Sequence, residues 1–256
     1  MLLGDYTEST LQSDDLEAAS ALWQTSAAAG STVHWARQTY AQYHNGSTVW
    51  FAPDLDHVND EYLVWGPLNL PAGYNYLLSF WHTYSFESGF DGAVLELSTD
   101  GSTWTDLGPD MLQNGYDRTI STSYNSPIKG RSAWTGGTIG AMKQVLVDIS
   151  AWVGQNVSVR YRCASDSSVG STGWAVDDVS LIQQALDCEV VDIKAGDLDD
   201  NGVRNAVDVM LLKNLLADKI AAGQGAFVRP ESAADVNRDG RINAADLLAL
   251  LRLLGQ

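Results

Sequence analysis

Residues 1–184 alternate apolar and polar side chains with a period of two. One face of a predicted strand carries Tyr74, Tyr76, Leu78, Phe80, His82 and Tyr84. The alternation in "GAVLELSTDGSTW" stops at Asp100-Gly101, a dipeptide typical of hairpin turns. Further short strands are predicted in "QVLVDIS", "NVSVRYRC" and "WAVDDVSLI", and only "SDDLEAASALW" indicates a helix. This spacing of strands and turns predicts a β-sandwich of two packed sheets.

The pattern changes after Gln184, because residues 187–256 contain neither tryptophan nor tyrosine and their apolar positions follow helical spacing. Two leucine-rich segments, "DVMLLKNLLADKI" and "DLLALLRLL", each predict a helix. The predicted fold class is therefore mainly β plus α. We expect a jelly-roll β-sandwich at residues 1–184, a linker at residues 185–194 and a small all-α domain at residues 195–256.

A loop rich in side-chain oxygens precedes the first leucine-rich segment. Counted from Asp197, such oxygens recur at alternate positions, Gly202 stands at the sixth position and Asp208 ends the loop at the twelfth. Ca²⁺ takes about six to eight oxygen ligands, and a loop of about twelve residues supplies them from these positions, the seventh through its carbonyl. The predicted ligands are Asp197, Asp199, Asn201, Val203, Asn205 and Asp208.

The same pattern returns 38 residues later, before the second leucine-rich segment. The predicted ligands of this second loop are Asp235, Asn237, Asp239, Arg241 through its carbonyl, Asn243 and Asp246. The alternative is a pair of solvated acidic loops, but solvation gives no reason for every position to repeat in register. The sequence therefore predicts two bound calcium ions.

A calcium loop that leads into a helix, has no amphipathic helix before it and ends in Asp rather than Glu resembles the duplicated half EF-hand of the dockerin family. The resemblance covers about residues 195–255. It implies a calcium-dependent domain that binds a cohesin domain and so attaches its chain to an extracellular scaffold, such as a cellulosome.

The resemblance also implies where a cohesin would bind. In the best-known dockerins a hydroxyl pair at the tenth and eleventh loop positions contacts cohesin, whereas this chain has alanine or valine there. The predicted contacts are Ala206, Val207, Lys213 and Asn214 in the first repeat and Ala244, Ala245, Leu251 and Arg252 in the second. Leucines encircle the second helix, and so small a domain cannot bury all of them. The remaining apolar surface is left for a partner or, alternatively, for packing on the sandwich.

In the sandwich, "LLSFWHTYSFESGFDGAVLELSTDGSTWTDL" and "VDISAWVGQNVSVRYRCASDSSVGSTGWAVDDVSL" resemble the MAM-like jelly-roll domains of secreted metallopeptidases of the immune-inhibitor-A type. The resemblance implies a non-catalytic accessory or adhesive module, often with a structural calcium. Alternation places Asp177 on the face of Val179 and Leu181, and a buried carboxylate requires a counter-charge or a metal. The candidate ligands are Glu17, Asp60, Glu87, Asp91, Asp177 and Asp178; the alternative is that they are solvated turn residues.

Charge and motifs exclude several classes of function. The net charge of −17 argues against binding to nucleic acid or to anionic membranes. The chain has no His-Glu-x-x-His motif and no nucleophile with an evident base, so we assign no catalytic residue. Any catalytic region is expected outside this sequence. "MLLG" is too short for a secretion signal, so in an exported protein we expect the signal to lie upstream or to have been removed.

Two alternatives stay open from the sequence alone. Trp104 and Trp134 lie in turn-rich segments where their rings could stack on sugars, which would make the sandwich a carbohydrate-binding module of a secreted hydrolase; alternatively, the tryptophans form its core. Cys163 and Cys188 could form a disulfide, or Cys163 could be a small core residue.

Overall fold

The computed structural model describes residues 6–186, 195–199, 201–221, 233–238 and 241–255. Its internal contacts separate two units, Met1–Asp187 and Cys188–Gln256. Among the residues just given, the first unit contains strands and the second contains two helices, so the predicted fold class, a mainly β sandwich followed by a small α domain, is confirmed.

Residues 6–186, the described part of the first unit, contain fourteen strands. They are β1 (Tyr6–Asp14), β2 (Trp23–Ala27), β3 (Ala36–Thr39), β4 (Thr48–Ala52), β5 (Asn59–Asn69), β6 (Asn75–Ser85), β7 (Gly92–Ser98), β8 (Thr105–Asp106), β9 (Met111–Gln113), β10 (Arg118–Thr119), β11 (Ser132–Ala133), β12 (Lys143–Asp148), β13 (Asn156–Ser165) and β14 (Gly173–Leu186). One sheet has the order β3-β4-β14-β6-β12-β9, with β1 also paired to β14. The other has the order β2-β5-β13-β7-β8, and β10 pairs with β11.

The core lies between the two sheets and is built from the alternating faces of their strands. In β6, the side chains of Tyr76, Leu78, Phe80 and His82 are buried, as the sequence predicts. Cys163 in β13 belongs to the same core, whereas Cys188 lies outside the described residues. The predicted hairpin is also confirmed: Gly101 has a φ of +73° in the turn that joins β7 to β8.

The predicted helix in "SDDLEAASALW" is wrong. The segment forms the end of β1 and the start of β2, with bends between them. Short polar side chains accept hydrogen bonds from the backbone there. Asp14 accepts one from the N–H of Leu16, and Ser20 accepts one from the N–H of Leu22. Leu16 is left-handed, with a φ of +61°. These local bonds replace the helical ones, and the side chain of Leu16 is buried.

The second unit contains α1 (Ala206–Ala221) and α2 (Ala244–Leu253). The side chain of Asn243 caps α2, and the side chain of Asp246 accepts a hydrogen bond from the backbone N–H of Asn243. Together the two interactions form a capping box. A separate core includes Leu212 from α1 and Leu250 from α2, which occupy equivalent positions of the two repeats and are both fully buried. No helix among the described residues is long and apolar enough to cross a bilayer.

Candidate functional sites

The first oxygen-rich loop brings together the carboxylates that the sequence singles out. Oxygens of Asp197, Asp199 and Asp208 all lie within 4.8 Å of one another. Asp197 and Asp208 are buried, and Asp199 is exposed at the surface. The amide of Asn201 donates to Asp199 over 2.8 Å, and the amide of Asn205 donates to the carbonyl oxygen of Val203 over 3.2 Å. All six predicted ligands of this loop therefore lie in one connected network.

Asp208 joins this loop to the first turn of α1. Its carboxylate accepts the N–H of Leu198 over 2.6 Å and that of Asn205 over 2.7 Å. Burial acts to raise the pKa of Asp208, but the N–H donors of Asn205, Leu198 and Asp199 outweigh it and lower the pKa below its ordinary value. The carboxylate is thus held ionised, as a calcium ligand must be.

The second loop repeats this geometry where it is described. Asp246 accepts the N–H of Asn243 over 2.8 Å and that of Asn237 over 3.3 Å. Asp235 and Asp246 are completely buried. Asn243 accepts the N–H of Ala245 over 2.7 Å, as Asn205 does with that of Val207 over 2.7 Å. Arg241 is exposed, and Asp239 lies outside the described residues.

The donor set of both loops fits calcium. Carboxylates, amide oxygens and a carbonyl are hard oxygen ligands, and an ion among them would relieve the repulsion between closely placed carboxylates. The carboxylates of Asp208 and Asp246, which close the two loops, also keep lone pairs that do not accept a backbone N–H group.

Each of the two helices exposes apolar side chains at matching positions. We call these two surfaces together the repeat face and define it as Val207 and Met210 on α1 and Ala245 and Leu248 on α2. Met210 and Leu248, which are 38 residues apart, are 55% and 49% exposed. The predicted contacts Ala206, Lys213, Asn214, Ala244 and Arg252 are exposed as well. Leu251 differs, because it is partly buried against the core of the helical unit. Met210 and Leu248 were not among the contacts predicted from the sequence, although the helical spacing from Val207 and Ala245 could have indicated them.

In the sandwich, the structure contradicts the predicted face of Asp177. The register of β14 shifts between Asp177 and Ser180, and Asp178 has a φ of +42°. This bulge reverses the alternation, so that Trp174, Val176, Val179 and Leu181 all face the core between the sheets. Asp177 is buried nonetheless, because the loop after β3 covers it.

Three of the tentative metal ligands contact that loop. Asp177 accepts the N–H of His44 over 2.8 Å, and Asp178 lies 2.5 Å from Nδ1 of the same histidine. Glu17 accepts the N–H groups of Ser47 and Thr48 over 2.8 and 2.7 Å. These donors lower the pKa of Glu17 below its ordinary value.

Asp60 has an arginine as its counter-charge. Nε and Nη2 of Arg162 bind its two oxygens over 2.7 and 2.8 Å, and the hydroxyl of Tyr62 donates over 2.9 Å. This bidentate ion pair is the counter-charge that a buried carboxylate requires.

Glu87 and Asp91 come together with an acid that the sequence analysis missed. Their carboxylate oxygens and those of Asp166 lie within 4.8 Å of one another. Burial and the charge of Asp54 raise the pKa of Asp91 well above its ordinary value, and burial together with Asp166 and Asp54 raises that of Glu87. Asp54 and Asp166 follow strands at distant points of the chain, and no local pattern marks them.

The two candidate sugar-binding tryptophans have different environments. Trp134 is completely buried, so it cannot stack on a sugar. Trp104 is partly exposed, and the guanidinium of Arg160 lies 4.2 Å from its ring centroid and 4.5 Å from that of Tyr62. These three residues help to line a groove of about 390 Å³ on the outer face of the five-stranded sheet, together with Gln24, Ser26 and Ser158.

Part of the chain matches a known protein family. Residues 195–255 match the dockerin type I domain. Bacillopeptidase F of Bacillus subtilis (strain 168) is 29% identical over 135 residues, which are 52% of this chain but only 8% of that protein.

Solved structures similar to the chain include the K1 cleaved adhesin domain of Lys-gingipain from Porphyromonas gingivalis W83, with 18% identity and a TM-score of 0.43 over 68% of this chain and 97% of that one. Another is the family 11 carbohydrate-binding module from Clostridium thermocellum, with 11% identity and a TM-score of 0.39 over 68% of this chain and 94% of that one.

Dockerin domains bind calcium, imply a cohesin partner and occur in extracellular or cell-surface proteins. The chain therefore carries a dockerin type I domain at residues 195–255, which follows a β-sandwich domain.

Proposed function

We propose that the dockerin domain binds a cohesin through the repeat face and attaches the sandwich to an extracellular scaffold of the cellulosome type. The observation that carries this proposal is the duplication of the exposed surface. Met210 and Leu248 are exposed at equivalent positions, while the equivalent pair Leu212 and Leu250 is fully buried. An apolar surface that recurs in both repeats and lies outside the core of the helical unit is typical of a binding face.

Two calcium ions, one in each loop, would control this face without touching the partner. Asp208 and Asp246 lie both in the loops and in the first turns of α1 and α2. Each closing carboxylate binds N–H groups earlier in its own loop, so an ion that fixes the loop also fixes where the helix begins. Removal of calcium is therefore expected to abolish cohesin binding.

The test is binding of the full chain to a panel of purified cohesin domains of different classes, by isothermal titration calorimetry, in calcium and in EDTA. A charge in a desolvated apolar contact is costly, so Met210→Asp is expected to weaken binding about 100-fold. The matched control is Leu112→Asp, which changes an exposed leucine of the sandwich. The proposal fails if no cohesin binds in calcium, or if the control weakens binding as much as Met210→Asp.

The groove around Trp104 supports carbohydrate binding as a second candidate function, that of the sandwich. Its lining combines aromatic rings with amide, hydroxyl and guanidinium groups, the mixture that a sugar requires. On a glycan array, Trp104→Ala is expected to abolish any binding that the chain shows, whereas Tyr74→Ala, which removes an exposed aromatic residue elsewhere in the sandwich, is expected to preserve it. An array without any bound glycan would refute this function.

A further inference from the structure

The loop between β3 and β4 contains Asn45-Gly46, one of three Asn-Gly dipeptides in the chain. In such a dipeptide the backbone nitrogen of the glycine can attack the side-chain amide of the asparagine, because glycine has no Cβ to hinder the approach. The other two dipeptides are Asn114-Gly115 and Asn201-Gly202. The three asparagine side chains have different hydrogen-bond partners, and these partners decide which amide is placed for the attack.

At Asn45 the two reacting groups are in contact. The N–H of Gly46 donates to Oδ1 of Asn45 over 2.9 Å. Since a carbonyl bond is about 1.2 Å long, Cγ of Asn45 lies within about 4 Å of the Gly46 nitrogen. No other hydrogen bond of this side chain is found among the described residues, and Asn45 is exposed. Its NH₂ group is therefore free to leave, and water reaches it.

The other two asparagine side chains are bound by different groups. Nδ2 of Asn114 donates to the carbonyl oxygen of Gln144 over 2.7 Å, which ties this amide to β12. At the third dipeptide, the N–H of Gly202 donates to Asp197 over 2.9 Å. The side chain of Asn201 is itself bound at both ends by other residues of the same loop. Both amides are thus held by partners other than the nitrogen that would attack them.

We propose that Asn45 is a site of spontaneous deamidation in the folded chain. The Gly46 nitrogen loses its proton and forms a bond to Cγ of Asn45. The bond from Cγ to Nδ2 then breaks, and Nδ2 leaves as ammonia with the proton that Gly46 lost. Because the two groups are already in contact, this attack needs little reorganisation.

The cyclic imide that results takes up one water molecule. Hydrolysis at Cγ of residue 45 gives aspartate, whereas hydrolysis at its backbone carbonyl carbon gives isoaspartate, in which the chain runs through Cβ and Cγ. The net reaction replaces the side-chain NH₂ with OH and consumes only water. It lies in the sandwich and does not depend on the proposed docking function.

The loop is anchored on both sides of the reacting bond. His44 donates its N–H to Asp177 over 2.8 Å, and Ser47 donates its N–H to Glu17 over 2.8 Å. A Cβ on Gly46 would clash with the carboxylate of Glu17, so the backbone there is closely confined. Isoaspartate lengthens the backbone between the two anchors by one carbon atom, and the loop cannot keep both bonds in their present geometry.

Both products also add a carboxylate where three carboxylates already contact the loop. These are Glu17, Asp177 and Asp178, and the ring of His44 lies 2.5 Å from Asp178. The backbone nitrogen of Asn45 is 3.4 Å from Oδ2 of Asp177, so a negative charge on residue 45 is repelled from close by. Deamidation therefore releases the loop from β14 and uncovers Asp177, which the loop keeps completely buried.

The test is peptide mapping of the full chain by mass spectrometry during incubation at pH 8 in calcium, with one sample folded and one in urea. In the folded chain, Asn45 is expected to deamidate at least about 10-fold faster than Asn114 or Asn201, because only its amide contacts the attacking nitrogen. In urea the three are expected to react at similar rates, since they then share only the dipeptide. Labelling with an isoaspartyl methyltransferase identifies the isoaspartate. Equal rates in the folded chain, or the same preference for Asn45 in urea, would overturn the proposal.

A second readout follows the loop. His44 stacks on Trp81 with ring centroids 3.7 Å apart, so tryptophan fluorescence reports this contact. The incubated chain is expected to melt at a lower temperature than the fresh chain, and incubated Asn45→Gln, whose longer amide does not form the five-membered imide, is expected to melt as it does when fresh. Asn114→Gln is the matched control and should age like the unsubstituted chain. Unchanged melting of a chain deamidated at Asn45 would refute the release of the loop.

Discussion

Asp60, Asp91 and Asp177 are buried carboxylates of the sandwich, and each is compensated in a different way. Asp60 binds Arg162, and Asp177 accepts backbone N–H groups. Burial and the charge of Asp54 raise the pKa of Asp91 well above its ordinary value, which favours its neutral form. Burial of a charge requires compensation of some kind, but the kind depends on residues that are distant in the sequence.

We expect Asp60→Asn to destabilise the sandwich by about 2–4 kcal/mol, because it leaves the largely buried guanidinium of Arg162 without its bidentate partner. Urea unfolding followed by tryptophan fluorescence measures this loss. Combining the change with Arg162→Gln should restore part of the stability, since the guanidinium that lost its bidentate partner, and keeps only a 3.5 Å ion pair with Glu96, is then gone. A bound-calcium count lowered by Asp60→Asn would instead identify Asp60 as a metal ligand.

His82 should make the sandwich sensitive to acid. Burial first, and the charge of Lys143 second, lower its pKa from 6.5 to about 3, and its Nδ1 accepts the indole N–H of Trp174. The unfolded chain therefore takes up a proton below pH 6.5 that the folded chain does not, and stability falls as the pH falls towards 3. For a single group with this shift, the loss between pH 8 and pH 5 is about 2 kcal/mol.

His82→Gln retains an acceptor for Trp174 and should remove most of this loss. The measurement is the free energy of unfolding from urea titrations at pH 8 and pH 5. His57→Gln is the control, because His57 is exposed and bound to Asp56 at the surface. Equal pH dependence in the two variants would show that His82 does not carry the effect.

At the scale of elements, the alternating pattern identifies β6 and the helical spacing identifies α1 and α2. Each pattern arises because apolar side chains are buried at regular intervals along one face of the element. The bulge at Asp178 is not visible in the sequence, and it alone reverses the predicted face of Asp177. The predicted helix after β1 fails because Asp14 and Ser20 bind nearby N–H groups. Non-local contacts decide the rest: Asp166 joins Glu87 and Asp91 only through the pairing of β13 with β7.

On α2, substitutions at Leu248 and Leu251 are expected to distinguish cohesin binding from the stability of the helical unit. Leu248 is exposed on the repeat face, so Leu248→Asp should weaken cohesin binding about 100-fold and leave the calcium-bound helices intact. Leu251 packs partly against the core of the same unit, so Leu251→Asp should lower the melting temperature of the helical signal as well. Circular dichroism at 222 nm and calorimetric titration with cohesin distinguish the two effects. Equal loss of helical signal in both variants would contradict the described packing.

At the scale of the whole molecule, we expect the two units to depend on metal to different extents. The sandwich has a large core between two sheets, whereas the core of the dockerin domain is small and its buried acids Asp197, Asp208, Asp235 and Asp246 crowd the loops. Because a small domain gains little from apolar burial, we expect this one to need bound ions in order to remain folded. Unfolding of the chain should therefore not be a single two-state transition.

Chelation should unfold the dockerin domain at a temperature where the sandwich is still folded. All nine tryptophans lie before residue 187, so tryptophan fluorescence reports the sandwich alone, while loss of α1 and α2 is read at 222 nm. In EDTA the helical signal should melt well below the fluorescence transition, and added calcium should restore it by mass action. Asp208→Asn with Asp246→Asn should reproduce the early helical melting in the presence of calcium, because it removes the carboxylates that join both loops to their helices. Coincident transitions in EDTA, or a helical signal indifferent to calcium, would show that the dockerin loops do not need an ion to fold.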